Sequence, residues 1–439
     1  MLKYSYILLL LCCISILIVP VFSQNDTDAT ITIRGKSKFV ATISVPPFFP
    51  SEGSESAKTG VFSDIIYRDL ELSGYFKRPD NQQFVIETHE QDQKTGEIDF
   101  LEWRRIGSSF LVKGKYTLDE ENVSAEVFLY DIRTGQRIFG RKFPEYSRKQ
   151  YRRLAHRISD EIVKYVAQEP GIASTRILYI SQQGKSKEVY VMDADGFGQA
   201  PLTSDGNLAA TPEWGYGASE IYYTSYKEYN PDLWVMRLED KKAGVVSSYP
   251  GFNLSPAWCP ETGKIALTLS KDGNSEIYTM DHRGNELKRL TMNRAIDSSP
   301  SWSPAGNQLV FTSDRTGSPQ IYRMNSDGLG VTRLTRQGAY SDAAVWSPNG
   351  DLITFVSRKN GSFHIFTMKP DGTEWIQLTK GSSNNEDPTW APDGKHIAFT
   401  SDRTGKTQIF VINLDGSGLT QLTTEGANQS PSWSPFLKN

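Results

Sequence analysis

Asp193-Ala194-Asp195-Gly196 and Asn325-Ser326-Asp327-Gly328 carry oxygen donors at the alternating spacing by which carboxylates hold calcium. Neither opens a twelve-residue calcium loop with its closing Glu, and related stretches (DHRG, KPDG, NLDG) recur along the chain. Recurrence at a fixed period makes them β-turns, in which the Gly supplies a positive φ. The five histidines, His89, His156, His282, His364 and His396, show no HExxH or other metal spacing. No G-x-S-x-G nucleophile elbow and no phosphate-binding glycine loop is present. Cys259 follows Trp258 where sister segments carry Ser, Ala or Gly, so it reads as a packed side chain and not a nucleophile. The acidic residues Asp297, Asp342, Glu386 and Asp387 stand a few positions before tryptophans at a regular interval. In a ring of repeats they fall in loops at one mouth of the channel, where a cation would find carboxylates.

The elements that place these residues are repeats. Trp214, Trp258, Trp302, Trp346 and Trp390 are each 44 residues apart, and Trp433 follows after 43. After each of the first five come a β-rich run (EIYYTS, KIALTLS, QLVFTSD, LITFVS, HIAFTSD), a second run (DLWVMRL, EIYTMD, QIYRMN, HIFTMK, QIFVIN) and a short last strand. In all but the first of these units that last strand ends in Leu-Thr. Four short strands per 40–45 residues is the signature of a propeller blade. The first set, from Arg176, lacks a Trp strand, and the chain ends with a spare one in Ser430–Pro435 (SPSWSP). Six blades form only if that last strand joins the first set, which closes the ring and removes its open edge. The recurring Trp reads as inter-blade core.

Upstream of the ring, Lys3, an apolar run from Ile7 to Val19 broken only by Ser15, Pro20 and Ser23 read as a signal peptide over residues 1–23. An uncleaved membrane anchor is the competing reading. Residues 24–170 show no repeat and predict an N-terminal α/β domain behind a polar leader, 24–33. Its expected elements are strands over Lys38–Val45, Phe84–Thr88, Phe110–Leu118, Val123–Asp131 and Arg137–Phe143, and two helices. One helix spans Val61–Ser73, with Phe62, Ile65, Ile66 and Leu70 on one face. The other starts from a Ser147/Gln150 capping box and carries the stripe Tyr151, Leu154, Ala155, Ile158, Ile162 and Val166. Arg148, Lys149, Arg152, Arg153 and Arg157 crowd that helix as a solvated face or a docking surface. Residues 171–439 form the six-bladed β-propeller of PD40/WD40-like repeats. The net charge of −3 argues against nucleic acid as a partner. Once the signal is removed Cys259 is the only cysteine, so the mature chain has no internal disulfide.

Ser63–Phe76 (SDIIYRDLELSGYF), Thr175–Ile180 (TRILYI) and the P-x-W-S-P-D-G type repeats at Pro300–Gly306, Trp346–Gly350 and Pro388–Gly394 resemble the TolB family of the Tol–Pal cell-envelope system. The resemblance covers nearly all of the chain after residue 23. It implies a non-enzymatic periplasmic adaptor, monomeric and without cofactor or metal. Such a protein binds the lipoprotein Pal through one propeller mouth and TolA through the leader, maintains outer-membrane integrity and supports constriction at division. Other outer-membrane proteins join its partners, and no membrane insertion follows signal cleavage. By location, the resemblance carries the Pal contact onto Phe252, Asn253, Ser255, Asp297, Ser298, Asp342, Ala343, Glu386 and Asp387. It carries the TolA contact onto Thr30, Ile31, Thr32 and Ile33. The runner-up is a propeller enzyme, a lyase or esterase acting on envelope polysaccharide in the channel. The absence of histidine from the segments before the tryptophans weighs against it.

Deleting Pro431–Asn439 is expected to cost about 4 kcal/mol or more, the scale of losing a core element. It should lower the melting temperature of the whole ring by circular dichroism, and a melt at the wild-type temperature would contradict closure by the C-terminal strand.

Overall fold

The computed structural model describes residues 40–51 and 61–437. The signal peptide and the leader, with Thr30–Ile33, lie outside them. The first unit is a sheet of β1 (Ala41–Ser44), β2 (Phe49–Pro50), β3 (Phe76–Lys77), β4 (Phe110–Leu118), β5 (Asn122–Asp131) and β6 (Gln136–Ser147). The order is β3-β1-β4-β5-β6, with β2 beside β4. Strand β1 runs parallel to β3 and β4, while β4, β5 and β6 form an antiparallel meander. Helices α1 (Val61–Leu72) and α4 (Tyr151–Ala167) cover one face and share its core with Ile43, Val112 and Val127. The expected apolar faces are buried: Phe62, Ile65, Ile66 and Leu70 on α1, and Leu154, Ala155, Ile158, Ile162 and Val166 on α4.

Two expectations fail here. Phe84–Thr88 is not a strand but lies within helix α2 (Gln82–Thr95), and a short α3 (Phe100–Arg105) follows. The described residues of this unit therefore hold four α-helices and not two. Asn81 Oδ1 caps α2 by accepting from the N–H groups of Gln83 and Phe84, and Gly96 ends it at φ +77°. The buried face of α2, Val85, His89 and Asp92, is mostly polar, so its helical period is invisible to a hydrophobicity count. Asp92 accepts from Trp103 Nε1 (2.8 Å) and Lys113 Nζ (2.6 Å), which fastens α2 and α3 to the second face of β4. Ser147 makes no capping bond either; α4 is entered through a 3₁₀ turn, Arg148–Gln150.

The ring is six four-stranded antiparallel sheets. Blade one is completed by the last strand, Ala427–Trp433, which pairs with Arg176–Gln183 ahead of two further strands. The inner strands of blades two to six are Ala209–Trp214, Asn253–Cys259, Asp297–Trp302, Ser341–Trp346 and Asn385–Trp390. All six inner strands bulge at the same place, and Thr211, Ser255, Ser299, Ala343, Asp387 and Ser430 there adopt φ between +45° and +53°. The extra residues stand outside the ladder, which explains how proline enters an inner strand: Pro300, beside Ser299, has no ladder bond to lose.

Three side-chain devices repeat around the ring. In blades two, four and six the tryptophan donates its indole N–H to the carbonyl just before the previous blade's tryptophan: Trp214 to Ser432 (3.0 Å), Trp302 to Ala257 (3.1 Å), Trp390 to Val345 (3.2 Å). The threonine of each Leu-Thr accepts from a third-strand N–H, as Thr335 does from Ile321 and Thr423 from Ile409, both at 2.9 Å. This buried hydroxyl pins an outer strand of only two residues. The Asp-Gly turns place glycine against the preceding blade: a Cβ at Gly328 (φ +95°) would stand 2.6 Å from the Leu290 carbonyl oxygen. Cys259 is buried among Ile277, Leu309 and Phe311, as a packed side chain should be.

Trp302→Phe removes the bond to the Ala257 carbonyl and is expected to cost about 1 kcal/mol beyond the change in packing. Trp346 Nε1 has no acceptor, so Trp346→Phe is expected to cost clearly less. Denaturant midpoints of the two variants check this, and equal losses would refute the role given to the indole N–H.

Candidate functional site

Strand direction assigns each loop to a face of the ring. The inner strands begin, and the second strands end, at the same mouth. The first unit contacts the opposite face, through Asp193 and Asp195 of blade one and Lys395 of blade six. The mouth where the inner strands begin is therefore clear of the first unit's described residues.

The residue preceding each inner strand marks the rim. Leu208, Phe252, Ile296, Tyr340 and Asn384 are 44 residues apart, and each carbonyl accepts an N–H from the end of the second strand of its own blade or the residue after it. On blades two to four this position is apolar and exposed: Leu208 at 43%, Phe252 at 49%, Ile296 at 54%. Met292 (80%) and Tyr229 (98%), from loops on the same face, extend the arc. Blades five and six carry Tyr340 and Asn384 there, with Asp342, Glu386 and Asp387 two or three residues on. A cavity of about 300 Å³ there is lined by Tyr340, Asp342, Phe363, Glu386, Asp387 and Ser430, among others. The Tyr340 and Phe363 rings meet edge-on at 5.2 Å. Burial, then the neighbouring carboxylates, lift Glu386 above the usual carboxylate range. Burial lifts Asp387 too, against the hydrogen bonds that hold it ionised.

The nine residues carried over for this mouth divide by exposure. Phe252 and Glu386 are exposed, and Ser255, Ser298, Asp342, Ala343 and Asp387 are half-buried. Asn253 and Asp297 are fully buried and spent within the protein. Asn253 accepts from Ser247 Oγ and Tyr249 N–H and donates to the Tyr249 carbonyl. Asp297 is gripped by the Arg315 guanidinium at 2.9 and 3.0 Å and by Asn293. These two shape the rim and present nothing to a partner. Asp387 ties blade six to the closing strand by accepting from Thr400 Oγ1, Ser430 N–H and Ser430 Oγ. The four acidic residues expected in loops are inside inner strands, because the strands start earlier than their apolar pattern does. Leu208, Tyr229 and Met292 were missed; the 44-residue step from Phe252 was the signal available for Leu208.

The histidine-bearing cluster is elsewhere, at the junction of the two units. His156 Nδ1 lies 2.8 Å from Asp69 Oδ2 and its Nε2 3.4 Å from Asp193 Oδ2. Burial opposes the imidazolium, but Asp69 and Asp193 prevail and raise its pKa to about 10. Asp69, His156 and Asp195 bring ligand-type atoms within 4.8 Å of one another. However, Arg152 donates to both oxygens of Asp195 at 2.7 and 2.8 Å and to Asp193 at 3.0 Å. Three carboxylates thus meet two protein cations in a buried ion-pair network. Arg152, expected on a solvated face, spans the two units. Asp160 accepts the N–H groups of Ala173 and Ser174 and so fixes the linker; burial raises its pKa to about 6.

Comparison with known proteins follows the same two units. A family profile described as the TolB beta propeller domain matches residues 163–437, and one described as the TolB amino-terminal domain matches 29–138. A protein of Syntrophotalea carbinolica named Tol-Pal system protein TolB is 33% identical over 193 residues, 44% of this chain and 45% of that protein. One of the same name from Anaeromyxobacter dehalogenans is 32% identical over 166 residues, 38% of each. The chain thus spans less than half the length of these curated relatives in the matched stretch. The crystal structure of TolB from Acinetobacter baumannii superposes with a TM-score of 0.77 at 25% identity, covering 90% of this chain and 97% of that one.

Glu213 in the channel wall accepts from Ser432 Oγ at 3.0 Å, and burial lifts its pKa from 4.5 to about 7. A carboxyl raised by folding contributes stability that is whole below pH 4.5 and lost as pH climbs through about 7. Glu213→Gln cannot ionise. Relative to wild type it is expected to gain about 1–2 kcal/mol between pH 5 and pH 8, allowing for solvent screening in the channel. Unfolding titrations at the two pH values measure this, and a parallel pH dependence would count against it.

Proposed function

The chain belongs to the TolB family, and on that premise we propose that it is a non-enzymatic periplasmic adaptor of the Tol–Pal system. It holds Pal at the open mouth of the propeller and TolA through the leader 24–33. By joining the two it maintains outer-membrane integrity and supports envelope constriction at division. The observation that carries the reading is the divided rim: exposed Leu208, Phe252 and Ile296 on one side, and the acidic, aromatic cavity around Tyr340 and Glu386 on the other. An apolar arc beside a polar one offers a folded partner both packing surface and hydrogen-bonding groups, and an interface of about 1,600 Å² in total would cover this mouth. Among the described residues no helix is long and apolar enough to cross a membrane.

Phe252→Ala with Ile296→Ala removes the apolar anchors while leaving the buried Asn253 and Asp297 in place. The pair is expected to weaken Pal capture at least tenfold in a pull-down, since an interface anchor is worth about 2 kcal/mol or more. Deleting Gln24–Ile33 should abolish TolA capture and spare Pal. Full Pal recovery by the double variant would remove Pal from this mouth, and full TolA recovery by the deletion would remove TolA from the leader.

A further inference from the structure

A larger cavity, about 550 Å³, lies on the other face of the ring, where α4 meets blades one and two. The turn into α4 and its first residues bring Lys149, Arg152 and Arg153 to it, and blade one brings Arg176. Arg152 is committed to Asp193 and Asp195. Lys149, Arg153 and Arg176 are exposed, and among the described residues no carboxylate pairs with them; Arg153 only stands 6.0 Å over the Tyr146 ring. Ala173, Ala218 and Leu437 add apolar surface to the lining, and Asp193, held by Arg152, is its one carboxylate.

The sequence here runs against the helix's own field. The first turn of α4 has no acidic residue, and neither Gln150 nor Ser147 makes a side-chain capping bond. Basic groups at the positive end of a helix dipole are repelled, where a carboxylate or phosphate would be stabilised. The Ser174 hydroxyl, also lining the cleft, stands beside the Asp160 carboxylate that accepts the Ser174 N–H. Three free cations thus converge on one cavity of small-molecule size at a helix N-terminus.

We propose that this interdomain cleft binds a phosphate group, free or as an ester, held by Lys149 and Arg153 of the first unit and Arg176 of the propeller. Arg presents a planar fork suited to two phosphate oxygens, and Lys adds a point charge. Because the cations come from both units, the ligand clamps them together and stiffens the linker that Asp160 already holds. The site is independent of the Pal-binding mouth, which lies on the opposite face.

The test uses the full mature chain and thermal melting with pyrophosphate, against sodium chloride of equal ionic strength. A ligand that binds only the folded state raises the melting temperature. The wild type is expected to gain about 2 °C or more, and K149Q/R153Q/R176Q to lose the gain while keeping its melting temperature in chloride. If the triple variant is itself unstable, Arg176→Gln alone should weaken pyrophosphate binding at least fivefold by calorimetry. No gain in the wild type, or an equal gain in the variant, overturns the proposal. Phosphatidylglycerol vesicles separate the sources. Sedimentation with the protein, reversed by pyrophosphate, assigns a lipid headgroup, while pyrophosphate binding without sedimentation assigns a soluble ester. Pal capture by the triple variant should stay intact, so the failure of either reading leaves the other standing.

Discussion

The strand Ala427–Trp433 touches blade one, both its neighbours and the linker at once. It ladders onto Arg176–Gln183, and the chain just past it returns a bond from Ser434 N–H to the Arg176 carbonyl at 2.8 Å. Trp433 Nε1 donates to Thr175 Oγ1 at 2.8 Å, just ahead of the first blade strand. Toward blade two, Ser432 gives its carbonyl to Trp214 and its hydroxyl to Glu213. Toward blade six, Ser430 donates to Asp387. Without this strand blade one would expose the whole inner edge of Arg176–Gln183, the kind of edge that pairs with other chains. Joining residues some 250 positions apart is slow to find but adds little entropic cost over a shorter loop, because that cost grows only with the logarithm of length.

Once closed, the ring separates two kinds of work. On one face the first unit is fixed by buried charge: Arg152 and His156 against Asp69, Asp193 and Asp195, with Lys395 reaching Tyr75 and Glu169. Buried ion pairs of this kind contribute little net stability but penalise wrong arrangements heavily, since any mismatch strands a charge. They fix how the units meet more than they fix how stable the whole is. On the other face the strand heads are locked from below, by Asn253 and by the Asp297–Arg315 pair. That leaves Phe252, Ile296 and Glu386 free at the rim. A surface built on strands fixed by buried hydrogen bonds loses little freedom when a partner docks, which favours affinity.

How much of this could be read from the sequence follows from which residues repeat. The ring, its blade count and its closure were legible because Trp, Leu-Thr and Asp-Gly each satisfy one backbone requirement once per blade, so geometry is written as period. The proline of SPSWSP was visible, but its reason, a bulge with positive φ at Ser299 and Ser430, was not. Helix α2 was lost because His89 and Asp92 form its buried side. The candidate mouth was legible as a location only. Which residues turn inward depends on the strand beginning at Asn253 or Asp297, one residue beyond exposed Phe252 and Ile296, and a one-residue step inverts exposure. The interdomain ion pairs join His156 to Asp193 and Arg152 to Asp195, across 37 and 43 positions, and no local pattern announces such pairs.

The central claim is that one closing strand makes the ring a single cooperative body. Native-state hydrogen exchange measures this directly, amide by amide. The account predicts that the N–H groups of Ile177–Ile180 and Ser432–Trp433 exchange only with global unfolding, at the same free energy as those of Leu309–Thr312 in blade four. Exchange of blade one at a distinctly lower free energy, with blades two to six still protected, would contradict it.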